Sequence, residues 1–252
     1  MAAIESYGTR LPGLDLSELT GKLIVVEGPD GVGRSTQISL LKIWLQMNGR
    51  AVMDTESGQA SLTGDGLKTA KQGHTLGPIA FTLFYATDLT DNLEHIVIPA
   101  LRAGFVVVID RYIYTSLARA MVRGMDRDWL KRVYSFALVP HAIIYLRLDL
   151  KDLIHRVLHS SGFNYWESGM DLRLGETYYE SFCEYQKRLI ESLDSLTKEY
   201  DAITIDASKN IEEVEEEIKR KLAPTLGFKH KGLPAESIPE SPKEPARSTS
   251  KS

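Results

Sequence analysis

Residues 23–36 read Leu-Ile-Val-Val-Glu-Gly-Pro-Asp-Gly-Val-Gly-Arg-Ser-Thr, and no other stretch of the chain restricts its fold so tightly. Leu23–Glu27 is a short apolar run with adjacent valines, the composition of a buried parallel strand. From Ser35 onward, Gln37, Ile38, Leu40, Leu41, Ile43, Trp44 and Leu45 follow an amphipathic helical pattern that stops near Asn48-Gly49. Between strand and helix, Gly28, Gly33 and Ser35 meet the pattern G-x-x-x-x-G-K-[ST], with Arg34 where Lys is usual. Such a loop curls backbone N–H groups around phosphate oxygens, and the helix N-terminus adds partial positive charge. Gly28, Asp30, Gly31, Val32, Gly33, Arg34, Ser35 and Thr36 are therefore candidate nucleotide-binding positions. The Ser35 hydroxyl is a candidate Mg²⁺ ligand. Arg34 keeps the charge of Lys in a bulkier planar fork, which is not a conservative exchange at a tight site. The alternatives are a chance glycine-rich turn, or a loop that binds nucleotide without catalysis.

The rest of the chain sets the frame. Its 252 residues are 43% hydrophobic, enough for one substantial core and one domain. A formal charge of −4, from 30 Lys and Arg against 34 Asp and Glu, gives no ground for nucleic acid as the main partner. The apolar runs are strand-length, so no membrane helix is expected. Residues 1–20 carry Glu5, Asp15 and Glu18 without a signal-peptide core and read as a loose leader. The single Cys183 excludes an internal disulfide and fits a reducing cytoplasm. Beside Phe182 in a helical pattern, it reads better as a packing residue than as a reactive thiol. Residues 227–252, with Pro234, Pro239, Pro242 and Pro245 among Ser, Glu and Lys, read as a disordered tail. The domain is thus expected at 21–226.

Within it, strands alternate with helices. Short strands are expected at 51–53, 105–109, 142–148 and 202–205 beside the first, and helices at about 78–101, 115–137, 150–158, 173–199 and 210–222. The alternation predicts a five-stranded parallel sheet with helices on both faces. Ligands of such sheets bind beyond the strand C-termini, so residues 28–35, 55–58, 110–112 and 206–208 should converge. Asp110-Arg111-Tyr112 closes the third strand. Its carboxylate can organise Mg²⁺ through water and its guanidinium can hold a transferring phosphoryl group; a surface ion pair is the alternative. Asp30, inside the loop, repels phosphate and better suits a sugar hydroxyl or hydrated Mg²⁺. Glu27 suits orienting a metal-bound water or a purely structural role equally. Residues 156–173, with two glycines, three aromatics and an arginine at each end, read as a short lid over the phosphates or as an ordinary mobile connection.

In the order and spacing of these pieces the chain resembles the thymidylate kinase family over most of residues 22–222. The elements that carry the likeness are Glu27 to Gly33, Ser35-Thr36-Gln37, Pro99-Ala100-Leu101 before Asp110-Arg111-Tyr112, Pro140, and Ile205-Asp206-Ala207-Ser208. The resemblance implies a P-loop kinase fold, phosphoryl transfer from ATP to a nucleoside monophosphate with Mg²⁺, and often a homodimer. It implies that Gly28 to Thr36 bind the ATP phosphates and that Arg34, Asp110 and Arg111 are catalytic. It places Asp30, Tyr85 and Arg111 against the acceptor, with Tyr85 stacked on the base. Ser35 and Asp110 would hold the metal, Arg156 would lead into the lid, and Ala207-Ser208 would lie by the adenine.

The chain also departs from the family pattern. The family's Thr-Arg-Glu-Pro-Gly is Asp54-Thr55-Glu56-Ser57-Gly58 here, Ala-Asp-Arg becomes Thr87-Asp88-Leu89, and Ala-Tyr-Gln becomes Ala118-Arg119-Ala120. An acceptor dianion needs cations, and Lys68 or Arg119 are the candidates to replace the missing arginines. The readings are a dTMP kinase, a kinase of the same fold with another acceptor, or a nucleotide-binding regulatory protein without catalysis.

Overall fold

The computed structural model describes residues 4–58, 63–73, 76–160 and 162–228. Five parallel strands form one sheet: β1 Lys22–Glu27, β2 Val52–Glu56, β3 Val106–Asp110, β4 Ala142–Arg147 and β5 Ile203–Asp206, in the order β2-β3-β1-β4-β5. Strand β2 runs three residues further than its short apolar run suggested, because Asp54–Glu56 complete the pairing with β3 up to Glu56↔Asp110. The central strands are apolar on both faces because both faces are covered. Leu23 and Val25 join Val107, Ile109, Ile143 and Tyr145 in one core, while Ile24 and Val26 join Val108, Ile144 and Leu146 in the other. Each fully buried Leu, Val or Ile in these layers contributes roughly 1.5–3 kcal/mol.

The second face is covered by α1 Arg34–Met47, α7 Leu150–Leu158 and α9 Ile211–Leu226. The first is covered by α3 Pro78–Asn92, α4 Ile98–Arg102, α5 Ile113–Val122 and much of α8 Tyr178–Glu199. Helices α8 and α9 start with capping boxes, Thr177 with Glu180 and Asn210 with Glu213, which satisfy otherwise unpaired N–H groups. Three helical details differ from the periodicity. Helix α2 Gly64–Gly73 was not expected, since Gly64, Gly66 and Gly73 lower its propensity. The helix expected at 115–137 is two, α5 and α6 Arg127–Val133, divided at Gly124 and restarted by Asp126 capping Trp129 N–H at 2.7 Å. A π-turn, Leu93–Val97, joins α3 to α4.

Residues 4–20 are packed rather than loose. Tyr7 N–H donates to the Ala137 carbonyl at 3.0 Å, Val139 N–H donates to Glu5 at 2.7 Å, and Ser6 bridges Leu138 antiparallel. Ile4, Leu16 and Leu19 are buried, and the Tyr7 ring lies edge-on to Tyr114 and Tyr200. These apolar residues follow no helical or strand period, which is why composition alone read the segment as unstructured. At the other end Gly227 closes α9 and Phe228 packs on Trp44 at 5.0 Å. The tail expectation for 229–252 lies outside the described residues. No described helix is long and apolar enough to cross a membrane.

Candidate active site

The loop after β1 turns because its glycines adopt positive φ, 147° at Gly28, 80° at Gly31 and 101° at Gly33. Gly28 is required twice over: a Cβ there would sit 2.7 Å from the Leu146 carbonyl oxygen and 3.0 Å from Val32. Arg34, the first residue of α1, does not reach outward. Its guanidinium folds back beneath the loop, donating from Nη1 to the Gly28 and Pro29 carbonyls at 2.7 and 2.5 Å. Nε donates to Asp110 Oδ1 at 2.6 Å. Both side chains are largely buried, 9% and 13% exposed, so solvent screens the pair little.

Asp110 ends β3, one strand away from β1. The next residue, Arg111, has φ 64°, a left-handed conformation that costs a non-glycine residue energy and clusters at functional positions. Two contacts hold the turn: Arg111 N–H donates to Val26 at 3.0 Å, and Tyr112 N–H donates to Glu27 Oε1 at 2.8 Å. The Thr115 hydroxyl donates to the other Glu27 oxygen. Glu27 is fully buried, and burial raises its pKa against the lowering effect of these two hydrogen bonds. Of its two sequence readings, the contacts are those of a structural carboxylate that anchors the Arg111 turn.

Asp30 sits between two guanidinium groups. One carboxylate oxygen pairs with Arg111 and the other accepts from Arg119 Nη2 at 2.5 Å. Burial first, and the neighbouring Arg119 cation second, push the Arg111 pKa down to about 9, so it stays a cation at neutral pH. The two arginines open into a cleft of about 170 Å³ that is also lined by Glu56, Gly58, Phe81, Tyr85 and Ser116. Phe81 and Tyr85, one turn apart on α3, meet edge-on at 5.1 Å and form an aromatic wall. Lys71 stands 5.3 Å over the Tyr85 ring.

The segment expected to be a lid lies against this cleft. Trp166 stacks on Phe81, centroids 5.1 Å apart, and its Nε1–H donates to the Lys71 carbonyl at 2.9 Å. Arg123 ties the far end down through Asp171, at 2.8 and 3.2 Å, and also donates to the Tyr185 hydroxyl at 2.9 Å. Gly169 permits the close approach, since a Cβ there would come within 2.6 Å of the Tyr185 ring. Trp166 and Arg123 were not identified from the sequence. Arg123 had a signal: it lies one turn after Arg119 on the same helix face.

A second pocket opens on the other side of the loop, lined by Gly31, Val32, Gly33, Thr36, Arg156 and Ala207 among others. Arg156 donates to the Val32 carbonyl at 2.8 Å and the Ala207 carbonyl at 2.6 Å, joining the loop to the end of β5. Ser35 is exposed in the first turn of α1. Among the described residues no group of three or more His, Cys, Asp or Glu could hold a metal alone. That suits Mg²⁺, which usually takes one or two protein ligands beside phosphate oxygens and water. The exposed Ser35 hydroxyl and the second Asp110 oxygen, which accepts nothing from Arg34, fit such an ion.

The strand ends therefore converge: loop 28–35, residues 55–58, turn 110–112 and residues 206–208 lie along one edge of the sheet. The residues at the family departures do other work. Thr55 accepts from Asn92 at 2.8 Å, Asp88 accepts from Gly58 N–H and Thr63 at 2.6 and 2.7 Å, and Leu89 is a core residue. Lys68 is exposed and does not line the cleft, whereas Arg119 does.

A parallel sheet ordered 2-3-1-4-5, with a glycine loop at the centre and pockets beside it, defines a nucleotide-binding protein of the P-loop class. The sequence model described as thymidylate kinase matches residues 26–218. Among curated relatives, "Probable thymidylate kinase 2" of Saccharolobus solfataricus is 40% identical over 81% of this chain and 96% of its own length. "Probable thymidylate kinase" of Thermococcus gammatolerans is 32% identical over 79% of this chain and 94% of its own. The chain belongs to the thymidylate kinase family.

Proposed function

We propose that this protein transfers the terminal phosphoryl group of ATP to dTMP, giving dTDP and ADP. One observation carries the reading: Arg34, Asp110, Arg111 and Asp30 form a continuous chain of ion pairs and loop contacts between the two pockets, where a transferring group must pass. The pocket beside Arg156 and Ala207 takes the ATP, its phosphates lying against the N–H groups of Gly31 to Thr36. The cleft beside Tyr85 takes dTMP, the ring stacking on the thymine and Arg111 holding the phosphate. Asp30 orients Arg111 in this arrangement. Ser35 and Asp110 would hold Mg²⁺, which would supply charge neutralisation to the phosphates.

Phosphoryl transfer asks the protein for alignment and charge stabilisation more than for covalent chemistry. Arg111 supplies fixed positive charge to the equatorial oxygens as the group moves, Arg34 holds Asp110 and the loop carbonyls in place beneath the phosphates, and Trp166 over Phe81 helps exclude water. A homodimer in a reducing cytoplasm, with the lone Cys183 unpaired, belongs to the same reading; sedimentation velocity measures the assembly. The functional test is a coupled ADP-release assay with dTMP, dUMP, dCMP, dGMP and dAMP. Turnover greatest with dTMP is expected. Turnover confined to another monophosphate would reassign the acceptor, and Mg-ATP binding without transfer to any of them would remove catalysis.

A further inference from the structure

Arg119 stands where the family pattern has an aromatic residue, two helical turns into α5, and its guanidinium shares the Asp30 carboxylate with Arg111. We infer that Arg119 and Arg111 form a two-guanidinium clamp for the acceptor phosphate, with Asp30 as the spacer that holds the two cations together. The inference rests on the proposed acceptor cleft and adds to it a residue specific to this chain.

Three features support it. First, each guanidinium has five N–H donors in a fixed fork, and Asp30 engages one Nη group of each, leaving donors facing the cleft. The buried Arg111 Nε has no hydrogen-bond partner among the described residues, a costly state for a donor on this guanidinium. Second, two cations share one carboxylate. Burial first, and the neighbouring Arg119 cation second, lower the Arg111 pKa, and a phosphate dianion placed against both cations offsets their repulsion. Third, the positions from which the family pattern would bring cations into the cleft are spent elsewhere: Leu89 is packed in the core and Thr55 is bonded to Asn92. The positive charge has moved from α3 and the β2 end to α5. Arg123, which caps α5 and also lines the cleft, is committed to Asp171, whereas Arg119 shares its carboxylate partner with Arg111.

The test separates phosphate from nucleoside recognition. Binding of dTMP and of thymidine is measured by calorimetry on the full chain and its Arg119→Ala and Arg119→Lys variants. Initial rates follow on the same proteins. Loss of a charge-assisted pair predicts that Arg119→Ala weakens dTMP binding and raises its KM about ten- to a hundredfold. Thymidine binding and ATP binding should hold near wild type. Arg119→Lys should recover part of the dTMP affinity, since it keeps the charge without the fork. Equal losses for dTMP and thymidine would show that Arg119 merely shapes the cleft, and unchanged dTMP binding would remove it from the site; either result overturns the clamp. If the wild type rejects dTMP but takes another nucleoside monophosphate, the thymidylate reading fails and the same nucleotide-to-nucleoside comparison is made on that acceptor. A wild type that binds no monophosphate better than its nucleoside overturns the clamp itself.

Discussion

Replacing Arg34 by alanine tests whether the unusual loop residue supports both the fold of the loop and the reaction. The guanidinium makes three short hydrogen bonds, to Asp110 and to the Gly28 and Pro29 carbonyls, from a side chain only 9% exposed. Removing one partner of a buried ion pair costs about 3–5 kcal/mol, because the remaining charge stays desolvated. The lower end applies here, since the vacated space gives water access to Asp110 and the two carbonyls. A loss of about 3 kcal/mol lowers the melting temperature of a domain this size by roughly 6–12 °C. Arg34→Lys retains the charge but cannot span Asp110 and both carbonyls, so about half that loss is expected. Thermal and urea unfolding without nucleotide read the stability effect, and the ADP-release assay reads catalysis. Arg34→Ala should lose transfer and bind ATP more weakly, while Arg34→Lys should stay active. An alanine variant that melts within a degree or two of wild type, or turns over at the wild-type rate, would refute the argument.

Other perturbations follow from the same contacts. Glu27→Gln should preserve the turn, its amide oxygen accepting Tyr112 N–H and its nitrogen donating to Thr115. Because burial raises the folded-state pKa of Glu27 above its ordinary 4.5, this group favours folding at low pH and loses that contribution as pH rises through the raised value. The variant should therefore show a flatter stability profile above pH 4.5 in urea unfolding, whereas a steeper one would contradict the assignment. His141 behaves in the opposite sense. Its Nδ1 accepts Leu23 N–H at 3.1 Å, and burial, then Lys22, press its pKa down to about 4. Its contribution is present above pH 6.5 and is lost as pH falls towards 4, so NMR should find the ring neutral at pH 5.5; a midpoint near 6.5 would remove the effect. Trp166→Ala deletes the stack on Phe81 and the bond to Lys71, together about 1.5–2.5 kcal/mol of local order. Faster amide exchange across residues 163–172 is expected, and unchanged exchange would show that the segment is held elsewhere.

Much of this was legible in the sequence because it is local. Leu23–Glu27, the glycines and the periodic residues from Ser35 define strand, loop and helix through interactions within a few residues. The alternation of such units restricts the sheet to parallel pairing. The spacing from Glu27-Gly28 to Asp110-Arg111 to Asp206-Ala207 also sufficed to place three strand ends on one functional edge, since strand C-termini of a parallel sheet lie together. What the sequence could not express is where side chains with several possible partners find them. Arg34 could point to phosphate or to protein, and only the pairing of β1 with β3 puts Asp110, 76 residues away, 2.6 Å from its Nε. Asp30 was expected to face a sugar hydroxyl or hydrated Mg²⁺, and the packing of α5 sets it instead between two arginines 81 and 89 residues distant. Tyr7 and Ile4 carry no periodic signal, yet residues 4–20 order themselves against 137–139 and α8 because that surface is apolar and within reach. Local periodicity determines which elements exist; ion pairs and irregular packing depend on distances between elements, and those exist only once the sheet has closed.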